Sequence, residues 1–574
     1  MVKYEPVRIW GADFETTVEI QYMIEGRVRV YAWAVESADA DHIKARGETI
    51  ESFIDFFRNK KSVIYFHNLK FDGMYILDYL MSLDIPAYGL IIKDKPKEPH
   101  LECLIDGHGQ FYKLIYYDDK TTMTFLDSYK KYKMPLETIA KIFGIPGKSE
   151  LPLGYRPVGR EVTDAEWERV EGDVRILVEA IKFQLANKLT GLTVASDAKK
   201  AYETLIGSEE LGRRHPKLSY EDDQLLRPAY RGGWVYLNPQ YQGDLISDVY
   251  VFDVNSEYPS IMSGVRGELL PRGMPRVVDE DYKLRKNEIE IWDITANLYV
   301  NKNKLPFIHY KNFMGRLNHE YVENEDTPMR LMLSTPDWEL YKECYSSDIV
   351  SFNARYVFNG EAGQFKTYID YWMGIKEKAS RENNGGLRQL GKDMMNNLSG
   401  RPALNPDRTS KIPRYDTEER MIKFTTIDNK TDPWYVPTSI FITAWGRHLI
   451  VKKAMQFQDD FVYADTDSVH ILNYDRHKKW FDRECHPTRL GMFGLENVWA
   501  KAKYLRSKAY MHENDSQREI KCGGLPMKAK EYVTFDNFYI GSKLDGKLAG
   551  KIVPGGYLLK ETTFRIQGGE RWLF

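Results

Sequence analysis

The chain has 574 residues, with 81 Lys+Arg against 83 Asp+Glu and a formal net charge of -2. At roughly 100–200 residues per domain it is expected to hold several domains, and its neutral balance argues against a simple polycationic nucleic-acid binder without excluding a local basic channel. No run of about 18 apolar residues occurs, and Met1–Trp10 is not a charged-then-apolar leader, so neither a membrane span nor a signal peptide is expected. Cys103, Cys344, Cys485 and Cys522 are far apart, which predicts no zinc site, no disulfide framework and a reducing cytoplasm.

Val7–Ala12 reads as a strand running into Asp13-Phe14-Glu15-Thr16, with a second strand from Arg29 to Glu36. Residues i and i+2 of a strand share a face, so Asp13 and Glu15 point the same way. Two such carboxylates repel unless a cation lies between them, although a solvated strand end also tolerates them. Ser62–Phe66 reads as a buried strand, and Leu77, Leu80 and Met81 predict a helix beginning near Asp72, where an N-cap role alone would account for that acid. Thr163-Asp164-Ala165-Glu166 is a capping box opening a helix. Its apolar stripe, Val170, Val174, Leu177 and Ile181, has Asp173 along it. An acid there is costly unless it is paired or metal-bound. Asp13, Glu15, Asp72 and Asp173 together supply enough carboxylate to hold two divalent cations for phosphodiester hydrolysis.

Further on, Tyr230-Arg231-Gly232-Gly233 precedes the strand Trp234–Leu237. A glycine pair admits close approach by another chain, a phosphate backbone included, or simply makes a turn. Asp248–Val254 predicts a strand ending at Asp253, and Asn255–Met262 a turn into a helix, a good seat for Mg2+ and a triphosphate. Asn383–Gly386 breaks the chain before a helix with the apolar stripe Leu387, Leu390, Met394 and Leu398. Arg388, Lys392 and Asn396 share another face, suited to nucleotide phosphates or to solvent. Phe461–Leu472 predicts two apolar strands about a tight turn carrying Asp465 and Asp467. Acids embedded in apolar strands differ from an ordinary acidic hairpin tip, and with Asp253 they make a second two-cation set.

In this order the segments resemble the motifs of protein-primed family-B DNA polymerases, and length and motif order are similar to those of the compact phi-twenty-nine-type phage replicases. D-F-E-T-T, Y-F-H-N-L-K-F-D-G and the helical Asp173 match the three motifs of proofreading 3′–5′ exonucleases. D-x-x-S-x-Y-P, the Lys392–Asn396 helix and Y-x-D-T-D-S match polymerase motifs A, B and C. The implied fold is multidomain, α+β and α/β: an RNase-H-like exonuclease joined to a right hand of palm, fingers and thumb with two insertions. The resemblance implies that Thr16, His67, Asn68, Phe71 and Ser128 hold a single-stranded 3′ end, and that Lys148 supports catalysis. It implies metal ligation by Asp253, the Val254 carbonyl and Asp467, with Asp465 in support, and by Asp13, Glu15, Asp72 and Asp173 in the exonuclease. Each site would take two Mg2+ ions, or Mn2+ in their place. Tyr258, Lys376, Lys392 and Asn396 would bind the incoming nucleotide. Tyr230, Arg231, Gly232, Gly233, Thr443, Arg447, Lys508 and Tyr510 would bind DNA. The chain departs from the family at Arg169, where Tyr is usual, at Glu257 for Leu, and at Asn397 and Ser399 for Ser and Tyr.

The expected domains are an exonuclease over 1–195, palm over 196–265 and 431–527, a first insertion over 266–362, fingers over 363–403, a second insertion over 404–430 and a thumb over 528–574. The implied activity is protein-primed, DNA-templated synthesis with proofreading and strand displacement, on a linear viral-type genome. The implied partners are primer-template DNA, dNTPs and a terminal protein supplying the priming hydroxyl, with the enzyme a monomer in the cytoplasm of a phage-infected bacterium. The loss of the motif-B Tyr at Ser399 motivates an alternative, a metal-dependent 3′–5′ exonuclease with an impaired polymerase half. A non-catalytic scaffold is disfavoured, because seven retained metal-site carboxylates would repel one another without a metal. Lys501–Phe574 carries 14 Lys+Arg against 8 Asp+Glu, which places the excess of cations at the end expected to grip DNA.

Overall fold

A computed structural model of the chain describes residues 7–39, 41–90, 96–97, 99–147, 156, 159–310 and 321–568. The N-terminal part is built on an eight-stranded sheet. Its spatial order is Lys44–Gly47, Val30–Ser37, Arg8–Thr16, Lys61–Phe66, Thr121–Asp127, Phe111–Asp118, His100–Ile105 and Ala87–Gly89. Arg8–Thr16 pairs antiparallel with Val30–Ser37 and parallel with Lys61–Phe66, which is parallel to Thr121–Asp127. This three-strand meander with parallel neighbours is the RNase-H-like sheet expected. Alternation does its work on Arg8–Thr16: Ala12 and Phe14 are buried, and Phe14 meets Phe53 and Phe66 edge-on at 4.8 and 4.9 Å. Asp13 and Glu15 therefore take the opposite face.

The helix Asp164–Ala186 lies on that face, opened by its capping box. Gly11 lets it close on the strand, because a Cβ there would lie 2.8 Å from Val178 Cγ2. The helix expected near Asp72 starts three residues earlier and spans Leu69–Ser82. The reason is Asn68, whose left-handed backbone (φ 73°) turns the chain directly out of the strand. Asp72 thus falls in the first helical turn and is buried, rather than capping the helix.

A second, seven-stranded sheet has the order Arg518–Cys522, Ala509–Glu513, Phe493–Arg506, Leu245–Val254, Ser468–Ile471, Phe461–Thr466 and Trp234–Leu237. Every paired neighbour in it is antiparallel. The helix Val436–Phe457 packs against it, apolar on nearly every side and buried accordingly. Residues 196–229, expected with the palm, are mostly helical, and Val194–Ile206 packs on the helix Gly385–Gly400 rather than on this sheet. Glu288–Val300 is the central strand of a five-stranded sheet within 269–362, and Lys366–Arg381 packs against Gly385–Gly400 as a helix pair.

Two hairpins complete the chain. Thr409–Asp416 with Met421–Asp428 forms one, inside the second insertion expected over 404–430; Lys543–Val553 with Gly556–Arg565 forms the other. The first bridges the eight-stranded sheet at Asp106–Ser410 and also touches the second hairpin. The second docks on the Leu69–Ser82 helix: Tyr75 donates its hydroxyl to the Tyr557 carbonyl at 2.6 Å, and Val28 N–H donates to the Pro554 carbonyl at 2.9 Å. The exonuclease-like sheet and both hairpins are thus joined in a closed series of contacts. Among the described residues, no helix is long and apolar enough to cross a membrane.

Candidate active sites

The four N-terminal acids converge. Asp13 and Glu15 stand on the strand face that the Asp164–Ala186 helix crosses, and that helix buries Asp173. Burial pushes the Asp72 carboxyl well above the usual range, and the Asp127 and Glu15 charges add to this. Arg169, one helical turn before Asp173, feels Glu15, Asp173 and Asp13 together. Its Nε donates to Glu15 Oε1 at 2.6 Å. Asp72 Oδ1 is buried with no hydrogen-bond partner among the described residues, an acceptor that a cation would satisfy. Lys148 lies outside the described residues.

Around this set, His67 accepts from the Ser128 hydroxyl at Nδ1 (2.9 Å) and donates to the Met134 carbonyl from Nε2 (2.9 Å). Asn68 N–H donates to Asp127 Oδ1, and Phe71 packs edge-on against Tyr75 and Tyr557. Thr16 ends the acidic strand, beside Tyr75. Ser128, expected on DNA, is wholly buried; it holds the His67 ring instead of offering a surface.

The second set is centred on the seven-stranded sheet. Asp253 pairs in register with Ser468, directly after Asp467, and Val254 N–H donates to the Asp467 carbonyl at 2.8 Å. Between the two motif-C acids the chain makes a γ-turn: Asp467 N–H donates to the Asp465 carbonyl, and Thr466 has φ 70°. A β-branched residue there is strained, and the flanking strand pairs hold it in place. Gly233 fits beneath this turn, where a Cβ would lie 2.5 Å from Thr466 Cγ2 and 3.1 Å from the Tyr258 hydroxyl. Burial, then Asp467 and Glu496, pushes the Asp253 carboxyl up to about 8. Burial, then Asp465 and Glu496, pushes Asp467 up to about 6. Like charges crowded at a half-buried site, only partly offset by Lys392 and Lys508, are what a divalent cation relieves, so these residues fit one. Lys508 makes an ion pair with Asp465. Among the described residues no three His, Cys, Asp or Glu side chains are already gathered as a ligand shell.

A cavity of about 1660 Å³ opens beside Asp253 and Asp467. Tyr258, Lys376, Arg388, Lys392 and Asn396 line it, as do Glu496 and Ser399. Burial, then the neighbouring Arg388 and Lys392 charges, lowers the Lys376 ammonium. Such a crowd of cations suits a polyanion. Asn397 and Ser399 turn their polar groups onto the helix's own carbonyls, at Asp393 and Asn396. Glu496 escaped the sequence reading because the pairing of its strand shifts register opposite Val251/Phe252, which breaks the alternation that would mark its face.

Several expected DNA contacts are interior. Arg447 is 1% exposed, bonded through Nε and Nη2 to Asp337 and through Nη1 to the Arg231 and Gly232 carbonyls. Arg231 is buried on the Met332 carbonyl. Thr443 bonds its own helix, and Tyr510 packs against Tyr463 and His512. The Arg447 donors are spent inside, so that guanidinium holds the Tyr230–Gly233 loop instead of reaching a phosphate, and Arg231 is buried beside it. Gly232 and Lys508 remain exposed.

Glu257 is also interior, with both carboxyl oxygens lacking a hydrogen-bond partner among the described residues. Burial, then Asp467 and Asp253, raises its pKa well above 4.5. A folded pKa above the unfolded value means that folded stability is lost as pH rises past the unfolded one. Glu257→Leu should therefore raise the melting temperature of the chelator-treated chain near pH 8, with the gain shrinking toward pH 4.5. Thermal melts at both pH values test this; an equal gain at both would sink the charge explanation.

Comparison with known proteins places the chain in a family and gives full-length relatives. Residues 160–484 match the family "DNA polymerase type B, organellar and viral". The DNA polymerase of Bacillus phage phi29 is 32% identical over 603 residues, covering 99% of this chain and 100% of that protein. The DNA polymerase of Bacillus phage B103 is 31% identical, covering 98% and 100%. The solved phi29 DNA polymerase with primer-template DNA and incoming nucleotides superposes with TM-score 0.88 at 30% identity, covering 98% of this chain and 100% of that one. The chain belongs to the type B DNA polymerases, and it is a DNA-directed DNA polymerase. Within that family its fold matches the phi29 enzyme, with exonuclease and polymerase domains.

Proposed function

We propose that this polymerase replicates a linear viral-type genome, starting from a hydroxyl of a terminal protein, proofreading as it goes and displacing the strand ahead of it. The observation that carries the reading is the presence of two separate acid sets in one chain, the first of them on a sheet joined to both hairpins in a closed series of contacts. Solved relatives hold primer-template DNA, incoming nucleotides and, in another complex, single-stranded DNA. We assign the same partners here, and a monomer working in the cytoplasm of an infected bacterium.

In the polymerase site Asp253, Asp467 and the Val254 carbonyl would hold Mg2+ or Mn2+, with Asp465 in support. Such ions supply charge neutralisation at the reacting phosphate and a lowered pKa for the bound 3′-hydroxyl. Lys376, Lys392 and Asn396 hold the triphosphate, and Tyr258 lies under the sugar. The primer 3′-oxygen loses its proton and bonds the α-phosphorus as pyrophosphate leaves. Asp13, Glu15, Asp72 and Asp173, with Lys148, serve the hydrolytic site, where Thr16, His67, Asn68 and Phe71 hold the frayed 3′ end. The domain boundaries given above are proposed with these roles. The hairpin at 409–428 closes the ring with the thumb hairpin, and the 269–362 sheet is assigned to the terminal protein.

Extension of a primed single-stranded circle with dNTPs and Mg2+ tests the whole. The intact chain should copy past one circumference with no helicase or clamp. Replacing 409–428 by a short Gly-Ser linker should keep copying of the first lap and stop displacement. Asp13→Ala with Glu15→Ala should abolish digestion of a single strand and keep extension. No extension by the intact chain, alongside normal digestion, would reverse the reading in favour of a nuclease.

A further inference from the structure

Arg169 occupies the hydrolytic site in a way that its surroundings make specific. It lies four residues before Asp173, on the same face of one helix, and reaches across to the acidic strand. The Arg169–Glu15 pair is mostly withdrawn from solvent, at 20% and 16% side-chain exposure. Among the described residues, several nearby cations are committed elsewhere: Arg156 and Arg160 to Glu166, Arg46 to Glu171, and Lys130 to Asp127. The Tyr31 phenol sits beside both Glu15 and Arg169, with its ring capped by Arg156 at 4.1 Å. Against the cost of burial, Glu15, Asp173 and Asp13 keep the guanidinium charged. A fixed cation therefore already neutralises one of the four carboxylates.

We propose that the Arg169 guanidinium replaces one of the two divalent cations of this site. A single Mg2+ or Mn2+ then sits on Asp13, Asp72 and Asp173, and Arg169, held on Glu15, presents the second positive charge to the scissile phosphate. This rests on the proposed exonuclease reading. It follows from charge and shape. Bringing a second dication to Glu15 means displacing a short, shielded ion pair. A guanidinium still has donors to offer a phosphate oxygen once one of its N–H groups is bound to a carboxylate. Charge placed at the transferring phosphoryl group is what the reaction needs from either kind of cation. Asp72 Oδ1, buried and unpartnered among the described residues, is the acceptor left for the single ion.

The test counts bound Mn2+ by electron paramagnetic resonance on the full chain carrying Asp253→Asn and Asp467→Asn, with single-stranded oligothymidylate present. The same chain with Asp13→Asn added is the reference, so only ions dependent on Asp13 are counted. One such ion is expected in the parent, one in Arg169→Lys, and two in Arg169→Gln. Two ions in the parent overturn the inference and leave the exonuclease reading standing, as does a count that Arg169→Gln leaves at one. No Asp13-dependent ion in any variant overturns the exonuclease reading, and the inference with it.

Discussion

Asp467→Asn is expected to slow primer extension on the order of a thousandfold while leaving single-strand digestion near the parental rate. The side chain keeps its size, so the strained turn at Thr466 and the strand pairing around it survive. What is lost is one of two half-buried charges brought together by paired strands, and with it a seat for a cation. The hydrolytic acids lie on a different sheet and on the helices against it, and should not register the change. The same substitution carries a stability signature of opposite sign. In the metal-free fold, Asp467 is pushed up to about 6 from 3.8, chiefly by burial and by Asp465. The folded chain then holds a proton that the unfolded chain has released, so stability falls as pH rises from about 4 to about 6. Asn has no charge to bury. In chelator near pH 8, calorimetry should show the variant melting above the parent, with the difference closing near pH 4. A variant that loses extension and also melts lower at both pH values would point to misfolding and defeat the argument.

Arg447→Met should destabilise the chain by about 3–5 kcal/mol, the range for stranding one member of a buried ion pair. Asp337 is wholly buried and, among the described residues, would keep the Ser334 hydroxyl at 2.9 Å and Arg231 at 3.9 Å. Arg447→Lys should fare little better, because an ammonium cannot span a bidentate carboxylate and two carbonyls together. Adding Asp337→Leu to Arg447→Met should recover part of the loss, since an apolar pair leaves no orphaned charge. The loop carbonyls of Arg231 and Gly232 would lose their donor in every variant. Because Gly233 of that loop packs beneath the motif-C turn, the balance between extension and digestion should move as well. Urea melts with paired extension and digestion assays measure both effects. An unchanged midpoint for Arg447→Met, or a double variant no better than the single, would contradict this account.

Much of the two acid sets was legible in the chain itself. Asp13-x-Glu15 and Asp465-x-Asp467 stand out because apolar strand residues flank them, and Asp173 because it interrupts a helical stripe. Each is a local violation of patterning, and such violations are visible without knowing the fold. Glu257 was visible as a departure, but nothing nearby in sequence told that it would be buried facing Asp467, 210 residues away. A motif names Ser128 and Arg447 without saying which way they point, and the fold turns both inward.

The sequence by itself determined most of the strands and helices, the acids that interrupt their apolar patterns, and the class of chemistry that their spacing allows. Periodicity and capping are local, so they survive in one dimension. Only the tertiary structure decided other partners: Arg169 with Glu15, Arg447 with Asp337, and Glu496 with Asp253. These pairs join elements from distant parts of the chain, and their energies come from distance and desolvation, which exist only after packing. An arginine in a recognised motif can grip a phosphate or hold its own backbone. At Arg447, burial among carbonyls settled it for the backbone.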